Sequence, residues 1–191
     1  MSDDDMSLSL GWGATVFFHS NDVDLQKLDD FMIALRNGEF GTLDLGHVSI
    51  VTDGRGSTVH SGVANIDIDD KELLGKLEIL REDIEKKWDE LKERFTSICE
   101  DYRVNSWDKW HPYYIDPNYY SKEDKPSMRL VSKLLDNLED FLSSEGAKRR
   151  DVSEFGVKFE NPNYITITIF NWKSKKTTKY KITEQGFGEF K

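Results

Sequence analysis

The sequence predicts a single α+β domain, in which the N- and C-terminal segments form an antiparallel or mixed β-sheet and a long antiparallel helical hairpin is inserted between them. The main observation is an amphipathic pattern over residues 69–102, where apolar side chains recur every three or four positions between charged ones. That spacing matches the ~3.6 residues per turn of an α-helix. On both sides of this segment, apolar and polar residues alternate with the two-residue period of half-buried strands.

The chain divides into four predicted segments. In order, they are a flexible acidic tail over residues 1–10, a β-α-β-β segment over 11–68, a helical hairpin over 69–145 with an aromatic loop over 103–125, and a β-meander over 146–191. The sequence contains no run of apolar residues near the ~20 that a membrane-spanning helix requires. Composition therefore predicts a globular protein that does not enter a membrane.

The first strand and helix follow from local signals. A strand is predicted over residues 14–19, and a helix follows it to about Asn37. Asn21 or Asp22 is expected to cap the start of the helix, because short polar side chains accept hydrogen bonds from the first free N–H groups. Gly38 is the expected stop, since glycine tolerates the left-handed conformation at helix ends.

A β-hairpin is predicted from residues 43–52 and 57–66, around the glycine-containing turn 53–56. Centring the turn predicts two cross-strand pairs, Ile50 with Val59 and Ser49 with His60. One face of the hairpin would be apolar. The other would carry polar side chains, with His47 diagonal to His60.

That polar face, with His47, Ser49 and His60, is a candidate catalytic site. Two imidazoles and a hydroxyl on neighbouring strands could bind a phosphate or a metal, or perform acid–base chemistry. The triplet His47-Val48-Ser49 resembles half of the paired His-x-Ser/Thr signature of two-histidine phosphoesterases, but the second triplet is missing, so no family is assigned. A phosphoesterase or nucleotide-acting enzyme that uses His47 and His60 remains an alternative function.

Carboxylates cluster near the predicted helix starts, but the sequence predicts no metal site and no cofactor. The clusters are Asp22 with Asp24, Asp29 with Asp30, and Asp67 with Asp69 and Asp70. Acidic side chains at these positions stabilise the helix dipole and cap the free N–H groups. Helix capping therefore explains them better than metal binding does.

The aromatic loop is the leading candidate for a binding surface. The long helix, at ~34 residues, would extend about 50 Å, whereas the second helix, predicted over residues 126–145, would extend only about 30 Å. Because the second helix is too short to cover the first, the loop is expected to fold back over the exposed end. Tyr and Trp dominate the binding energy of protein interfaces. The candidate partner-binding residues are Trp107, Trp110, Tyr113, Tyr114, Tyr119 and Tyr120, with the tyrosines expected to stay presented to a partner.

The C-terminal segment is predicted to be a meander of strands over residues 154–160, 164–172 and 177–183, with Ile169 opposite Tyr180 and Ile167 opposite Ile182. Its outer face would carry a possible basic patch. The patch consists of Phe170, Trp172, Lys173, Lys175, Lys176, Lys179 and Lys181. Such a patch can bind single-stranded nucleic acid or an acidic protein. Lysines on an edge strand can instead serve only to prevent aggregation, and this reading is favoured for the patch.

Charge and cysteine content narrow the function classes. The net charge is −10, although residues 146–191 hold ten Lys or Arg against five Asp or Glu. The acidic bulk argues against nucleic-acid binding by the whole protein and leaves open a protein partner with a basic surface or a protein that imitates nucleic acid. Solubility alone also explains the charge and is the favoured interpretation. Cys99 is the only cysteine, which excludes an internal disulfide and fits a cytoplasmic location.

The leading hypothesis is therefore a non-enzymatic cytoplasmic protein-binding module, of the inhibitor, immunity or adaptor type. It would dock a partner through the aromatic loop and use its acidic surface to attract that partner. Nucleic-acid binding by the basic C-terminal hairpin is a second alternative. The sequence leaves the oligomeric state open.

Overall fold

The computed structural model describes residues 5–10, 13–111, 113–117, 126–146, 153–161 and 163–190. These residues form three α-helices and three antiparallel sheets, which confirms the α+β class. In chain order, the long helix comes between the N-terminal and C-terminal strands, as predicted. The chain divides into two compact units, Met1–Lys86 and Lys87–Lys191. The single-domain organisation stays a prediction.

The first unit contains two sheets. Strands β1 (Asp5–Ser9) and β2 (Thr15–His19) form a ribbon, and strands β3 (Phe40–Asp44), β4 (Ser49–Asp53), β5 (Ser57–His60) and β6 (Asn65–Ile68) form a meander in that order. The prediction of a flexible tail over residues 1–10 is wrong for β1. Met6 and Leu8 alternate with more exposed residues there, and both are buried. Residues 1–4 lie outside the described part of the chain.

The predicted hairpin has the correct register but strands that are too long. Ile50 pairs with Val59 and Ser49 with His60, as expected. Turns at residues 45–48 and 61–64 divide each predicted strand into two. Local side chains stabilise these turns. The Asp44 carboxylate accepts from the N–H of Gly46, which has a φ of 82°, and the Ser61 hydroxyl bonds Ala64 in the second turn.

Helix α1 (Leu25–Asn37) begins at Asp24, whose side chain accepts hydrogen bonds from the N–H groups of Gln26 and Lys27. The predicted caps Asn21 and Asp22 are wrong, because residues 20–22 form a separate 3₁₀ turn before the helix. Gly38 ends the helix in the left-handed conformation, as predicted.

Helix α2 (Asp70–Asp101) confirms the predicted helix over 69–102 to within one residue at each end. The side chain of Asp69 caps it by accepting from the N–H groups of Lys71 and Glu72. In the first unit, Arg81 of α2 forms an ion pair with Asp29 of α1 at 2.5 Å. The apolar face of α2 contains seven side chains that are fully or nearly buried: Leu73, Leu77, Leu80, Ile84, Trp88, Phe95 and Ile98.

The second unit contains the C-terminal part of α2, helix α3 (Met128–Phe141) and one four-stranded sheet. The sheet consists of β7 (Ser153–Asn161), β8 (Tyr164–Asn171), β9 (Thr177–Thr183) and β10 (Gly186–Glu189), in the spatial order β10-β9-β8-β7. Helix α3 packs on β8, β9 and β10, and Arg94 of α2 binds Asp136 of α3 at 2.7 Å.

The strands that the structure describes at the two chain ends form separate sheets, which corrects the prediction of a shared one. The antiparallel orientation of α2 and α3 stays a prediction.

The predicted register between β8 and β9 is wrong by two residues. Ile167 pairs with Tyr180 and Ile165 with Ile182. The Asn171 side chain accepts from the N–H groups of Lys173 and Ser174, and the N–H of Asn171 donates to the carbonyl of Lys176. The turn therefore begins and ends one residue earlier than predicted. Because the shift is an even number of residues, every side chain remains on its predicted face. Strand β10 was not predicted, since its two glycines weaken the strand signal.

Candidate functional site

The aromatic loop is joined by backbone hydrogen bonds to β7, at the edge of the sheet in the second unit. The N–H of Asn105 donates to the carbonyl of Phe155, and the N–H of Val157 donates to the carbonyl of Asn105, both at 2.8 Å. Asn105 thereby forms a parallel bridge with β7, and its side-chain amide also binds Glu154 at 2.8 Å. The start of the loop is therefore fixed to a strand.

A buried carboxylate holds the next part of the loop. Asp108 is only 4% exposed, and its carboxylate accepts from the N–H of Phe159 at 2.7 Å. Burial raises the pKa of Asp108 and outweighs the opposite effect of this hydrogen bond. The Thr96 hydroxyl of α2 donates to the carbonyl of Lys109 at 3.2 Å. Sequence reasoning missed Asp108, although an acidic residue within an aromatic run was a usable signal.

Large aromatic side chains are exposed on either side of Asp108, which we call the anchor of the loop. Trp107 is 64% exposed and Trp110 is 65% exposed. The rings of Trp107 and His111 lie 4.4 Å apart, and the Lys109 ammonium lies 4.8 Å from the Trp110 ring centroid. We call Trp107, Lys109, Trp110 and His111 the tryptophan platform. It combines exposed rings with a backbone segment that is held in place by the hydrogen bonds of Asp108 and Lys109.

Of the four predicted tyrosines, only Tyr114 has a described side chain. Tyr114 is half-buried in a 3₁₀ turn, next to the fully buried Ile115. Asp116, beside that turn, forms an ion pair with Lys92 of α2 at 3.3 Å. The side chain of Tyr113 and all of Tyr119 and Tyr120 lie outside the described residues. Among the described side chains of the loop, the exposed rings are those of Trp107, Trp110 and His111. The presentation of Tyr113, Tyr119 and Tyr120 stays a prediction.

We expect replacement of Asp108 to separate its hydrogen-bonding role from its charge. Asp108→Ala leaves the buried N–H of Phe159 without its acceptor and should lower the free energy of unfolding by about 2 kcal/mol. Asp108→Asn keeps an oxygen acceptor and removes the buried charge, so its effect at pH 7 should stay within about 1 kcal/mol. Urea unfolding of both variants measures the difference, and equal losses would contradict the role of the hydrogen bond.

Because the pKa of Asp108 is raised, its contribution to the free energy of unfolding should decrease as the pH rises. A carboxyl whose pKa is higher in the folded chain contributes most to stability below the pKa of the unfolded chain, ~3.9. That contribution is lost as the pH rises through the folded-state value. The stability of the wild type relative to Asp108→Asn should therefore fall between pH 3.5 and pH 7, as measured by urea unfolding at each pH. A difference that grows with pH would show that the pKa is lowered.

The structure places only one of the two histidines of the alternative catalytic site on a strand. His47 lies in the turn between β3 and β4, so its predicted position on a strand face is wrong. Ser49 and His60 are paired, and Nδ1 of His60 lies 2.8 Å from the side-chain oxygen of Asn65. Among the residues described, no group of three or more His, Cys, Asp or Glu side chains could hold a metal ion.

The possible basic patch lies on strands β8 and β9 of the second unit and on the loop that connects them. Lys173, Lys175 and Lys176 are exposed in the loop, while Lys179 and Lys181 belong to β9. Phe170 and Trp172 contact each other edge to face, with ring centroids 5.0 Å apart. The structure thus places all seven residues on adjoining parts of one β-hairpin.

Comparison with known proteins gives no assignment. No protein-family model, no curated protein and no solved structure matches the chain. Within the described ranges, no helix combines the length and apolar character needed to cross a bilayer. Functional inference for this chain therefore depends on the geometry of its own sites.

Proposed function

We propose that the chain is a non-enzymatic protein-binding module, of the inhibitor, immunity or adaptor type, that docks a partner through the tryptophan platform. The observation that carries the proposal is the exposure of Trp107 and Trp110 beside the buried anchor Asp108. Tryptophan is enriched among the residues that contribute most to interface energy, because it buries a large area with few rotatable bonds. A fixed backbone lowers the entropy lost on binding.

Charge supports a partner with a basic surface. The first unit contains seven Lys or Arg against 18 Asp or Glu, a balance of −11, whereas the second contains 19 against 18, a balance of +1. The first unit therefore accounts for the acidic character of the chain. A negative potential of this kind accelerates association with a basic partner, and salt weakens the effect.

The single cysteine supports a reducing location. Cys99 is fully buried, and burial raises its pKa to about 12. A buried thiol of this kind acts as a small apolar side chain. We therefore extend the proposal to a cytoplasmic protein whose partner occupies the same compartment.

Oxidative footprinting tests the docking site. A partner is captured from host lysate with the full chain, purified, and mixed with it again before exposure to hydroxyl radicals. Mass spectrometry then measures the oxidation of each tryptophan with and without the partner. We expect oxidation of Trp107 and Trp110 to fall at least fivefold in the complex, while that of Trp172 stays unchanged. Unchanged oxidation of both platform tryptophans in a stable complex would refute this docking site.

A further inference from the structure

Strand β9 is an internal strand, and this changes the interpretation of its lysines. It lies between β8 and β10, and the carbonyl of Lys179 accepts from the N–H of Phe190 at 2.7 Å. Lysines protect a sheet from aggregation when they lie on an edge strand with unpaired backbone groups. Lys179 and Lys181 have neighbouring chain on both sides, so edge protection does not explain them.

The register places these lysines on the outer face of the sheet. Lys181 pairs with Thr166, and Lys179 pairs with Thr168. The alternate residues of β8, including Ile165 and Ile167, are fully buried on the opposite face. Since successive side chains point to opposite faces, the lysines and threonines face away from the core.

Aromatic rings lie on both sides of the lysines. Trp172 is 52% exposed, and the Lys175 ammonium lies 5.5 Å from its ring centroid. The Lys181 ammonium lies 4.1 Å from the ring of Tyr164 and 5.9 Å from the exposed ring of Phe190. The face therefore places cationic groups next to aromatic rings.

We propose that this lysine–aromatic face binds single-stranded nucleic acid, a function beyond protein docking. The face is defined by Tyr164, Thr166, Thr168, Phe170, Trp172, Lys175, Lys179, Lys181 and Phe190. Lysines bind the phosphates, exposed rings stack on the bases, and the threonine hydroxyls can bond to phosphate or sugar oxygens. An acidic peptide would use the lysines alone, because its carboxylates offer no flat ring to stack.

The charge of the lysine–aromatic face favours binding of a polyanion, although the whole chain has a net charge of −10. Five lysines and no acidic residue lie between Lys173 and Lys181. On the neighbouring strand β7, Glu154 accepts from the Asn105 amide and Glu160 lies 3.5 Å from Lys158. Charges farther away than ~8 Å are largely screened at physiological salt. Glu154 pairs with Phe170 on this face and keeps its charge, but the lysines outnumber it, so the local charge balance is positive.

Fluorescence anisotropy with the full chain and a labelled 15-nucleotide oligothymidylate tests the proposal. With about four phosphate contacts, the slope of log affinity against log salt should be about −3, so affinity should fall roughly fiftyfold between 50 and 200 mM salt. Absence of binding at 50 mM salt would overturn the proposal. So would equally tight binding of polyglutamate, which would identify an acidic protein as the occupant.

Matched variants locate the binding face. Lys179→Ala with Lys181→Ala should weaken oligothymidylate binding at least about tenfold and reduce the salt slope by about 1.4. Trp172→Ala should weaken it about tenfold with little change of slope, because stacking is lost and charge is kept. Arg129→Ala with Lys133→Ala removes the same charge from exposed positions on α3 and should change affinity less than threefold. Equal effects of the two double variants would overturn the assignment to this face, and thermal melting checks that each variant is folded.

Discussion

Replacing Trp107 and Trp110 together by alanine is expected to weaken binding of the protein partner at least about hundredfold. Each side chain is about two-thirds exposed, so its removal disturbs little of the folded chain. At an interface, truncation of such a residue commonly costs about 2 kcal/mol or more, and two of them exceed the ~2.7 kcal/mol of a hundredfold change. Isothermal titration with the purified partner measures the loss.

The chain supplies a matched control for this experiment. Trp172 is also a tryptophan of the second unit and is 52% exposed, but it lies on the lysine–aromatic face. Trp172→Ala should change partner affinity less than threefold. A large loss with Trp172→Ala and none with the platform variant would move the protein-docking site to the sheet. Thermal midpoints within a few degrees of the wild type should accompany both variants.

Replacing Phe95 by alanine is expected to lower the free energy of unfolding of the second unit by about 4 kcal/mol. The side chain is fully buried, and its ring meets that of Phe159 edge to face with centroids 5.1 Å apart. The loss combines the removed apolar surface with the cavity that remains. Urea unfolding followed by tryptophan fluorescence measures it, because four of the five tryptophans belong to the second unit.

A conservative replacement at the same position isolates the contribution of the ring. Phe95→Leu keeps an apolar side chain and loses mainly the edge-to-face contact, so it should cost about 1–2 kcal/mol. This contact matters for the docking site because Phe159 also donates its backbone N–H to Asp108. A cost below about 1 kcal/mol for Phe95→Ala would show that the ring pair does not support the loop.

Helix α2 was predictable because its signal accumulates over more than thirty residues, so a few irregular steps do not change the outcome. Shorter elements depend on one or two contacts. The turns at residues 45–48 and 61–64 form through side-chain bonds of Asp44 and Ser61, which a strand-like pattern of apolar residues conceals. The two-residue error between β8 and β9 has the same origin in Asn171.

The candidate site was only partly predictable. Composition identified an aromatic loop, but which rings pack and which remain exposed depends on contacts distant in sequence. Asp108 is fixed by Phe159, which lies 51 residues later in the chain. The interpretation of Lys179 and Lys181 changed because β10 covers the edge of β9, and its glycine-rich sequence gives a weak strand signal. Tertiary pairing supplies information that local patterns lack.

Residue-resolved hydrogen exchange of the free chain tests the central claim most directly, namely that the loop is fixed before a partner arrives. The N–H groups of Val157 and Phe159 bond to Asn105 and Asp108 of the loop. Both amides should exchange at least about a hundredfold more slowly than in an unfolded chain, and Asp108→Ala should remove the protection of Phe159 selectively. Exchange of both amides at unfolded rates in the free chain, with protection only in the complex, would contradict a preformed docking site.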